Sequence, residues 1–202
     1  MAFNEKKGNI AVYIDGDNAN YKEFKEIYEE IKSYGRIIIG RIYGDWTKPD
    51  MKGWKDIAIK YAFEPVNCFS LRRKNSTDIS LICDLMKDLY KNKQIDLFII
   101  VSSDSDYTNV TTRIRSEGKI VIGIGRMNTP IMLKNSCDIF ITTETVLNKK
   151  GNIYDDIDSY DNMEDLSVRY ETDDNLLNTI YKSFSGGYKI RMIKLKKNME
   201  KI

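Results

Sequence analysis

Carboxylate side chains follow three of the strand-like segments in this chain of 202 residues. The stretch AVYIDGDN places Asp15 and Asp17 after the first segment, and FIIVSSDSDY places Asp104 and Asp106 after the fourth. Asp78 follows the third segment, in NSTDISL, where a helical pattern begins. Neighbouring carboxylates raise one another's pKa unless a cation neutralises them. If the fold brings these segments together, they predict a metal site.

The residue types in the chain limit which metal could bind and which reaction it could support. The chain contains no histidine, which excludes serine-histidine nucleophiles, imidazole bases and histidine-rich zinc sites within one copy. Cys68, Cys83 and Cys137 are widely spaced and form no Cys-x-x-Cys motif, so we expect free thiols in a reducing compartment. An oxygen-only donor set suits Mg²⁺ or Mn²⁺. A site for such an ion predicts phosphoryl transfer or hydrolysis of a phosphate ester.

The elements that must position the carboxylates alternate between strand and helix. Six largely apolar segments predict strands at residues 10–14, 36–43, 64–69, 96–101, 120–124 and 139–142. Four segments with helical spacing lie between them, at residues 20–34, 51–61, 78–90 and 107–117. This alternation predicts an α/β fold with a mostly parallel central sheet. In a doubly wound sheet the fourth strand lies beside the first, so the carboxylates would meet at one edge.

The third predicted helix carries apolar and acidic residues. Its apolar face is predicted to consist of Ile79, Ile82, Leu85, Met86 and Leu89. Asp84 and Asp88 have helical spacing as well, and we expect them to be solvated and without a chemical role. The helix would therefore pack against the sheet through its aliphatic side chains.

Several motifs in a fixed order resemble those of a known family. Between residues 8 and 147 the chain reads IDGDN, YGDW, RRKNSTDISLICDLMKDLY, SSDSDY, RIRSEGKIVIGIG and NSCDIFITTE. This succession resembles the NYN domain of the PIN-like nuclease superfamily. The resemblance implies a three-layer PIN-like (Rossmann-like) fold and a ribonuclease that depends on a divalent metal, Mg²⁺ or Mn²⁺.

The resemblance also implies which residues act at the metal site. The predicted catalytic residues and metal ligands are Asp15, Asp78, Asp104 and Asp106. Supporting roles fall to Asn18, which matches the asparagine of the first motif, to Asp17 and to Ser102. Tyr107 stands where the family usually has phenylalanine, and we expect this difference not to affect the ligands.

A nuclease must also hold a polyanionic strand. Arg72, Arg73 and Lys74 lie just before Asp78 and are predicted to bind phosphates of the substrate. No base-reading element is visible, so the expected partner is single-stranded RNA with little sequence specificity. The chain has no apolar run of about 18 residues and no signal-peptide pattern, which predicts a cytoplasmic protein without a membrane partner. Whether the chain forms a homodimer stays open.

Alternatives from other classes stay open as well. Asp15 and Asp17 could merely shape a turn, and Asp78 could merely begin a helix. The chain could be an RNA-binding module whose metal site is weak or inactive. The pair Asp15 and Asp17 also resembles the nucleophile and acid of haloacid-dehalogenase-like phosphatases, although Ala19 replaces the threonine expected there.

Charge is segregated along the chain. Residues 151–181 contain one basic and nine acidic residues, whereas residues 182–202 contain seven basic and one acidic residue. We therefore expect a nuclease domain over residues 1–148, an acidic linker over 149–172 and a short basic helical appendage over 173–202. The appendage is similar to the opening helices of LOTUS (OST-HTH) domains, but it is too short to be a complete one.

Overall fold

The computed structural model describes residues 8–69 and 76–148. The linker over 149–172, the appendage over 173–202 with its LOTUS resemblance, and the predicted phosphate ligands Arg72, Arg73 and Lys74 lie outside the described residues. None of the described helices is long and apolar enough to cross a membrane.

Strands and helices alternate through the described residues. The strands are β1 (Asn9–Asp15), β2 (Arg36–Gly44), β3 (Glu64–Asn67), β4 (Leu97–Val101), β5 (Ile120–Gly125) and β6 (Ile139–Thr142). The helices are α1 (Phe24–Lys32), α2 (Lys52–Tyr61), α3 (Ser76–Lys91), α4 (Thr108–Ser116), α5 (Ile131–Ser136) and α6 (Thr143–Asn148). Short 3-10 turns at Tyr21–Glu23, Pro49–Met51 and Ser105–Tyr107 lead into α1, α2 and α4.

The six strands form one parallel sheet in the order β3-β2-β1-β4-β5-β6. The predicted α/β fold with a mostly parallel sheet is confirmed, and β4 pairs with β1 as expected. Chain order reverses between these two strands, which leaves a crevice at their carboxyl ends. Helices α5 and α6 were not predicted, because six residues are too few to display a helical period.

Apolar side chains cover both faces of the sheet. On one face, Phe24 of α1 packs edge-to-face against Trp54 of α2 and against Phe63, with ring centroids 5.7 and 5.4 Å away. On the other face, leucines of α3 pack with apolar side chains of β1 and β4. These layers bury nearly all of β1 and all of β4, so the residues at the carboxyl ends of both strands have fixed positions.

Helix α3 also contacts the sheet through polar side chains. Asp88 is only 8% exposed, and its Oδ2 accepts hydrogen bonds from the Tyr13 hydroxyl at 2.8 Å and from Arg41 Nη1 at 2.6 Å. The Tyr43 hydroxyl donates to Asp84 Oδ2 at 3.1 Å. The expectation that Asp84 and Asp88 are solvated is wrong, because buried donors on β1 and β2 take their acceptors from this helix.

The predicted apolar face of α3 is partly wrong for the same reason. Ile79 is 59% exposed, whereas Leu81, which lies outside the predicted face, is fully buried. Thr77, Leu85, Asp88 and Leu89 are buried with it, so the buried face mixes polar and apolar residues. With this face of α3 against the sheet, the first turn of the helix lies at the carboxyl ends of the central strands.

We expect the two carboxylates bound by Arg41 to contribute unequally to stability. Arg41 Nε also donates to Glu64 Oε2 at 2.7 Å, but the Glu64 side chain is 63% exposed, against 12% for Asp88. Asp88→Ala removes the acceptor of two largely buried donors and should lower the free energy of unfolding by about 3 kcal/mol. The matched Glu64→Ala should lower it by less than about 1 kcal/mol. Urea denaturation measures both, and equal losses would contradict this difference.

Candidate metal centre

Asp15 is the last residue of β1 and is almost completely buried, with 1% of its surface exposed. Its Oδ2 accepts hydrogen bonds from Ser102 Oγ at 3.0 Å and from the Tyr107 hydroxyl at 3.2 Å. Its Oδ1 is buried without any hydrogen-bond partner among the described residues. A buried charged oxygen without a partner is costly, so this atom indicates a missing cation or donor.

The glycine that follows Asp15 is required by the close approach of β2. The Gly16 N–H donates to the Tyr43 carbonyl oxygen at 2.7 Å. A Cβ at Gly16 would lie only 2.8 Å from that same oxygen. Any larger residue would therefore push the loop away from the sheet and shift Asp15 with it.

Three further carboxylates meet beyond the ends of the strands. One oxygen from each of Asp78, Asp104 and Asp106 lies within 4.8 Å of the others. Asp78 occupies the first turn of α3, and Asp104 caps the 3-10 turn after β4 by accepting the Asp106 N–H at 2.9 Å. The strand order thus brings together three of the five acids that the sequence placed at this edge; these three are separated by up to 28 residues in the chain, and Asp15 and Asp17 are not among them.

Ser102 and Tyr107 connect Asp15 to this group. Ser102 Oγ accepts the Asp104 N–H at 3.1 Å while it contacts Asp15. The fully buried Tyr107 directs its hydroxyl to Asp78 Oδ1 at 2.9 Å and to Asp15 Oδ2 at 3.2 Å. The expectation that Tyr107 does not affect the predicted ligands is wrong, since its hydroxyl contacts two of those carboxylates. The only signal in the sequence was the residue type, a tyrosine in place of phenylalanine.

The electrostatics reflect this crowding. Burial, followed by the charge of Asp78, raises the pKa of Asp15 to about 6, although the hydrogen bonds from Ser102 and Tyr107 oppose the shift. Burial also raises the pKa of Asp78, and the charges of Asp104 and Asp106 add to that shift. For Tyr107, burial and the two adjacent carboxylates raise the pKa of the hydroxyl, which keeps it a hydrogen-bond donor.

Asp17 and Asn18 take different positions from the acidic group. Asp17 Oδ2 accepts from Thr77 Oγ1 at 2.7 Å, and its Oδ1 lies 3.6 Å from Lys48 Nζ. These contacts attach the loop after β1 to the start of α3 and to the segment before α2, and they leave Asp17 outside the three-carboxylate group. Asn18 lines a cleft on the other side of Ser102.

The donors at this edge fit a hard divalent cation. They are carboxylate oxygens from two segments, the start of α3 and the turn after β4, and the buried Asp15 at the end of β1 adds an oxygen that has no partner among the described residues. Mg²⁺ and Mn²⁺ favour a few carboxylates and retain waters, so Asp78, Asp104 and Asp106 could hold either. The chemistry of the donor set does not distinguish between these two ions.

A family model identifies the domain that has this architecture. The model of the NYN domain matches residues 9–147, which include all four of the carboxylates described above. The chain belongs to the NYN domain family. Membership indicates a nuclease-type, RNA-related function, and NYN and other PIN-like nucleases use divalent metals.

Relatives of this NYN protein add information on the fold rather than on the activity. An uncharacterised protein of Methanocaldococcus jannaschii is 31% identical over 127 residues, which cover 60% of this chain and 50% of that protein. The chain therefore spans about half the length of the curated relative that it matches. The crystal structure of a protein of unknown function from Vibrio parahaemolyticus superimposes with a TM-score of 0.57 and 18% identity. The match covers 70% of this chain and 96% of that one, and it shows a shared fold.

We expect the burial of Asp15 to make the metal-free NYN protein less stable as pH rises. The pKa of Asp15 is about 6 in the folded protein against 3.8 for the free side chain, so the folded state holds a proton that the unfolded state has lost. The free energy of unfolding should therefore fall between about pH 4 and pH 6 by up to about 3 kcal/mol.

The variant Asp15→Asn should remove this loss and be more stable than the wild type at pH 7 in EDTA. Urea denaturation across this pH range measures it, with Asp56→Asn, an exposed acid on α2, as the matched control. A pH dependence in Asp15→Asn equal to that of the wild type would refute the assignment to Asp15.

Tyr107→Phe tests the bridging hydroxyl without changing the size of the ring. Its hydrogen bonds hold down the pKa values of Asp15 and Asp78, so their loss favours protonated carboxylates that compete with metal. We expect Mn²⁺ affinity, measured by calorimetry, to fall by about tenfold at pH 6 and by less at pH 8. The same ratio at both pH values would show that the hydroxyl does not act through protonation.

Proposed function

We propose that this NYN protein is a ribonuclease that hydrolyses RNA phosphodiester bonds at an aspartate-bound Mg²⁺ or Mn²⁺ site. One observation carries the proposal: Asp78, Asp104 and Asp106 converge at the sheet edge beside the buried Asp15. One oxygen of Asp15 has no hydrogen-bond partner among the described residues. Like charges gathered in this way raise one another's pKa unless a cation neutralises them. An edge of this kind, at the reversal of strand order, is also where parallel α/β sheets bind ligands.

The aspartates would hold the ion while neighbouring side chains orient them. When bound, the ion neutralises charge on the phosphate oxygens and supplies a water of lowered pKa, which removes the need for a histidine base. The Ser102 hydroxyl donates to Asp15, and the Asp106 N–H donates to Asp104. These hydrogen bonds fix the orientation of the Asp15 and Asp104 carboxylates. Asp17 supports the site by joining the loop after β1 to Thr77 on α3.

Single-stranded RNA is the proposed substrate, and residues 1–148 are the proposed nuclease domain. The acidic group lies at an open edge where Asp106 is exposed, so an extended strand can approach it. Arg72, Arg73 and Lys74 remain proposed phosphate ligands because of their position just before Asp78 in the sequence. The three cysteines are free thiols, which fits a reducing compartment such as the cytoplasm.

The proposal predicts cleavage of a labelled single-stranded RNA in Mg²⁺ or Mn²⁺ that stops in excess EDTA. Asp104→Asn should reduce the rate by more than the roughly 10–100-fold typical of outer partners of a metal site. Its RNA affinity should change little, and the control Asp56→Asn should cut at the wild-type rate. Cleavage that persists in excess chelator would contradict the metal site.

The same assay separates the alternative functions. Tight RNA binding without cleavage by the wild type would indicate a binding module with a weak or inactive metal site. Turnover of a generic phosphomonoester, with no cleavage of RNA, would indicate the phosphatase. In that case Asp15 and Asp17 would need new roles.

A further inference from the structure

A cleft opens on the other side of Ser102 from the acidic group. Its volume is about 260 Å³, counted with the solvent space at its mouth. Polar residues that line it are Asn18, Asn20, Glu23, Ser102, Ser103, Arg126 and Thr143. Most of that volume is open solvent, and the enclosed space, about 10 Å³, holds about one water molecule, so the cleft can contact only a group that passes over its mouth.

The cleft and the acidic group share one wall. Ser102 Oγ contacts Asp15 Oδ2 at 3.0 Å and accepts the Asp104 N–H at 3.1 Å, and Ser102 also lines the cleft. The acids lie towards α3, whereas the cleft contains Ile27 of α1 and Thr143 of α6 on the opposite side of the sheet. A strand that crosses the carboxyl edge would therefore pass from one to the other.

The backbone around Arg126 is anchored on both sides. The Arg126 N–H donates to Ser103 Oγ at 2.8 Å, and the Arg126 carbonyl accepts from Thr129 Oγ1 at 2.7 Å. The next N–H, of Met127, donates to both carboxylate oxygens of Glu144 at 3.1 and 3.0 Å. The hydrogen bond from Met127, ahead of the charge of Arg126, lowers the pKa of Glu144. The loop thus holds Arg126 at the mouth of the cleft.

The Arg126 guanidinium forms no ion pair among the described residues, although it interacts with the charge of Glu144. Arg41, Arg113 and Arg115 each form an ion pair with a carboxylate, whereas Arg126 forms none within residues 8–69 and 76–148. Its one hydrogen bond in this part of the chain runs from Nη2 to the Asn18 carbonyl oxygen at a long 3.4 Å. Arg36 also lacks an ion pair there, but it begins β2 at the amino edge of the sheet.

We propose that Arg126 binds a phosphate of the RNA strand next to the scissile phosphate. This inference rests on the proposed function and adds to it the path of the strand, from the acidic group across Ser102 to the cleft. The phosphate contacts the guanidinium at the mouth, because Glu23 lies in the cleft and would repel an anion that entered fully. A planar guanidinium with free N–H groups is the donor best matched to a phosphate.

The test compares Arg126→Gln with the matched control Arg36→Gln in the full chain. Binding of a labelled single-stranded RNA is measured in EDTA, so that no strand is cut, over a series of salt concentrations. We expect Arg126→Gln to weaken binding by roughly fivefold to tenfold and to reduce the salt slope by about 0.7, the value for one phosphate contact on a single strand. Arg36→Gln should change neither quantity, and Arg126→Lys should keep the salt slope.

Metal binding separates this inference from the proposed function. Arg126→Gln should bind Mn²⁺ as tightly as the wild type, because it leaves every carboxylate in place. Unchanged RNA affinity and salt slope in Arg126→Gln, or an equal loss in Arg36→Gln, would overturn the role of Arg126 while leaving the nuclease intact. A wild type that binds RNA but cannot cut it would overturn the nuclease and leave the phosphate contact standing. A wild type that neither binds RNA in EDTA nor cuts it in Mg²⁺ or Mn²⁺ would overturn both.

Discussion

The burial of Asp15 is the constraint on which the carboxyl edge of this protein depends. Strand β1 is covered on both faces, so its last side chain cannot reach bulk water, and an apolar residue there would satisfy the packing better than an acid. Ser102 and Tyr107 satisfy Oδ2 only, and Oδ1 has no partner among the described residues. The fold therefore accepts a local cost in stability at the place where a cation would remove it.

The acidic group also depends on how α3 is attached to the sheet. Aliphatic contacts alone are non-directional and would leave the rotation of the helix weakly determined. The hydrogen bonds of Asp88 with Tyr13 and Arg41 are directional, and they fix the rotation of this helix of 16 residues. Because the helix is stiff, fixing Asp88 also fixes Asp78 at its other end. A polar contact far from the acidic group thus orients one of its carboxylates.

Sequence patterns predicted the layout of the fold more fully than the contacts within it. Apolar runs indicated all six strands, and the strand order of a doubly wound sheet indicated that the acids following three of them would meet at one edge. The errors concern polar side chains in buried places, since periodicity records apolar residues and cannot show which Asp or Tyr will find a partner. Asp88 and Tyr107 are the examples. The partner of Asp17 could not be predicted either, because its bond to Thr77 joins residues 60 positions apart.

Tyr107 shows how closely these features are coupled. Its hydroxyl has one proton but two carboxylate neighbours, Asp15 Oδ2 at 3.2 Å and Asp78 Oδ1 at 2.9 Å. While both carboxylates are ionised, this single proton is divided between them, so each is stabilised only in part. Phenylalanine would leave Asp15 and Asp78 without this donor. The negative charge that the hydroxyl does not compensate favours a proton or a metal ion beside the pair, which is the same requirement that the buried Oδ1 of Asp15 imposes.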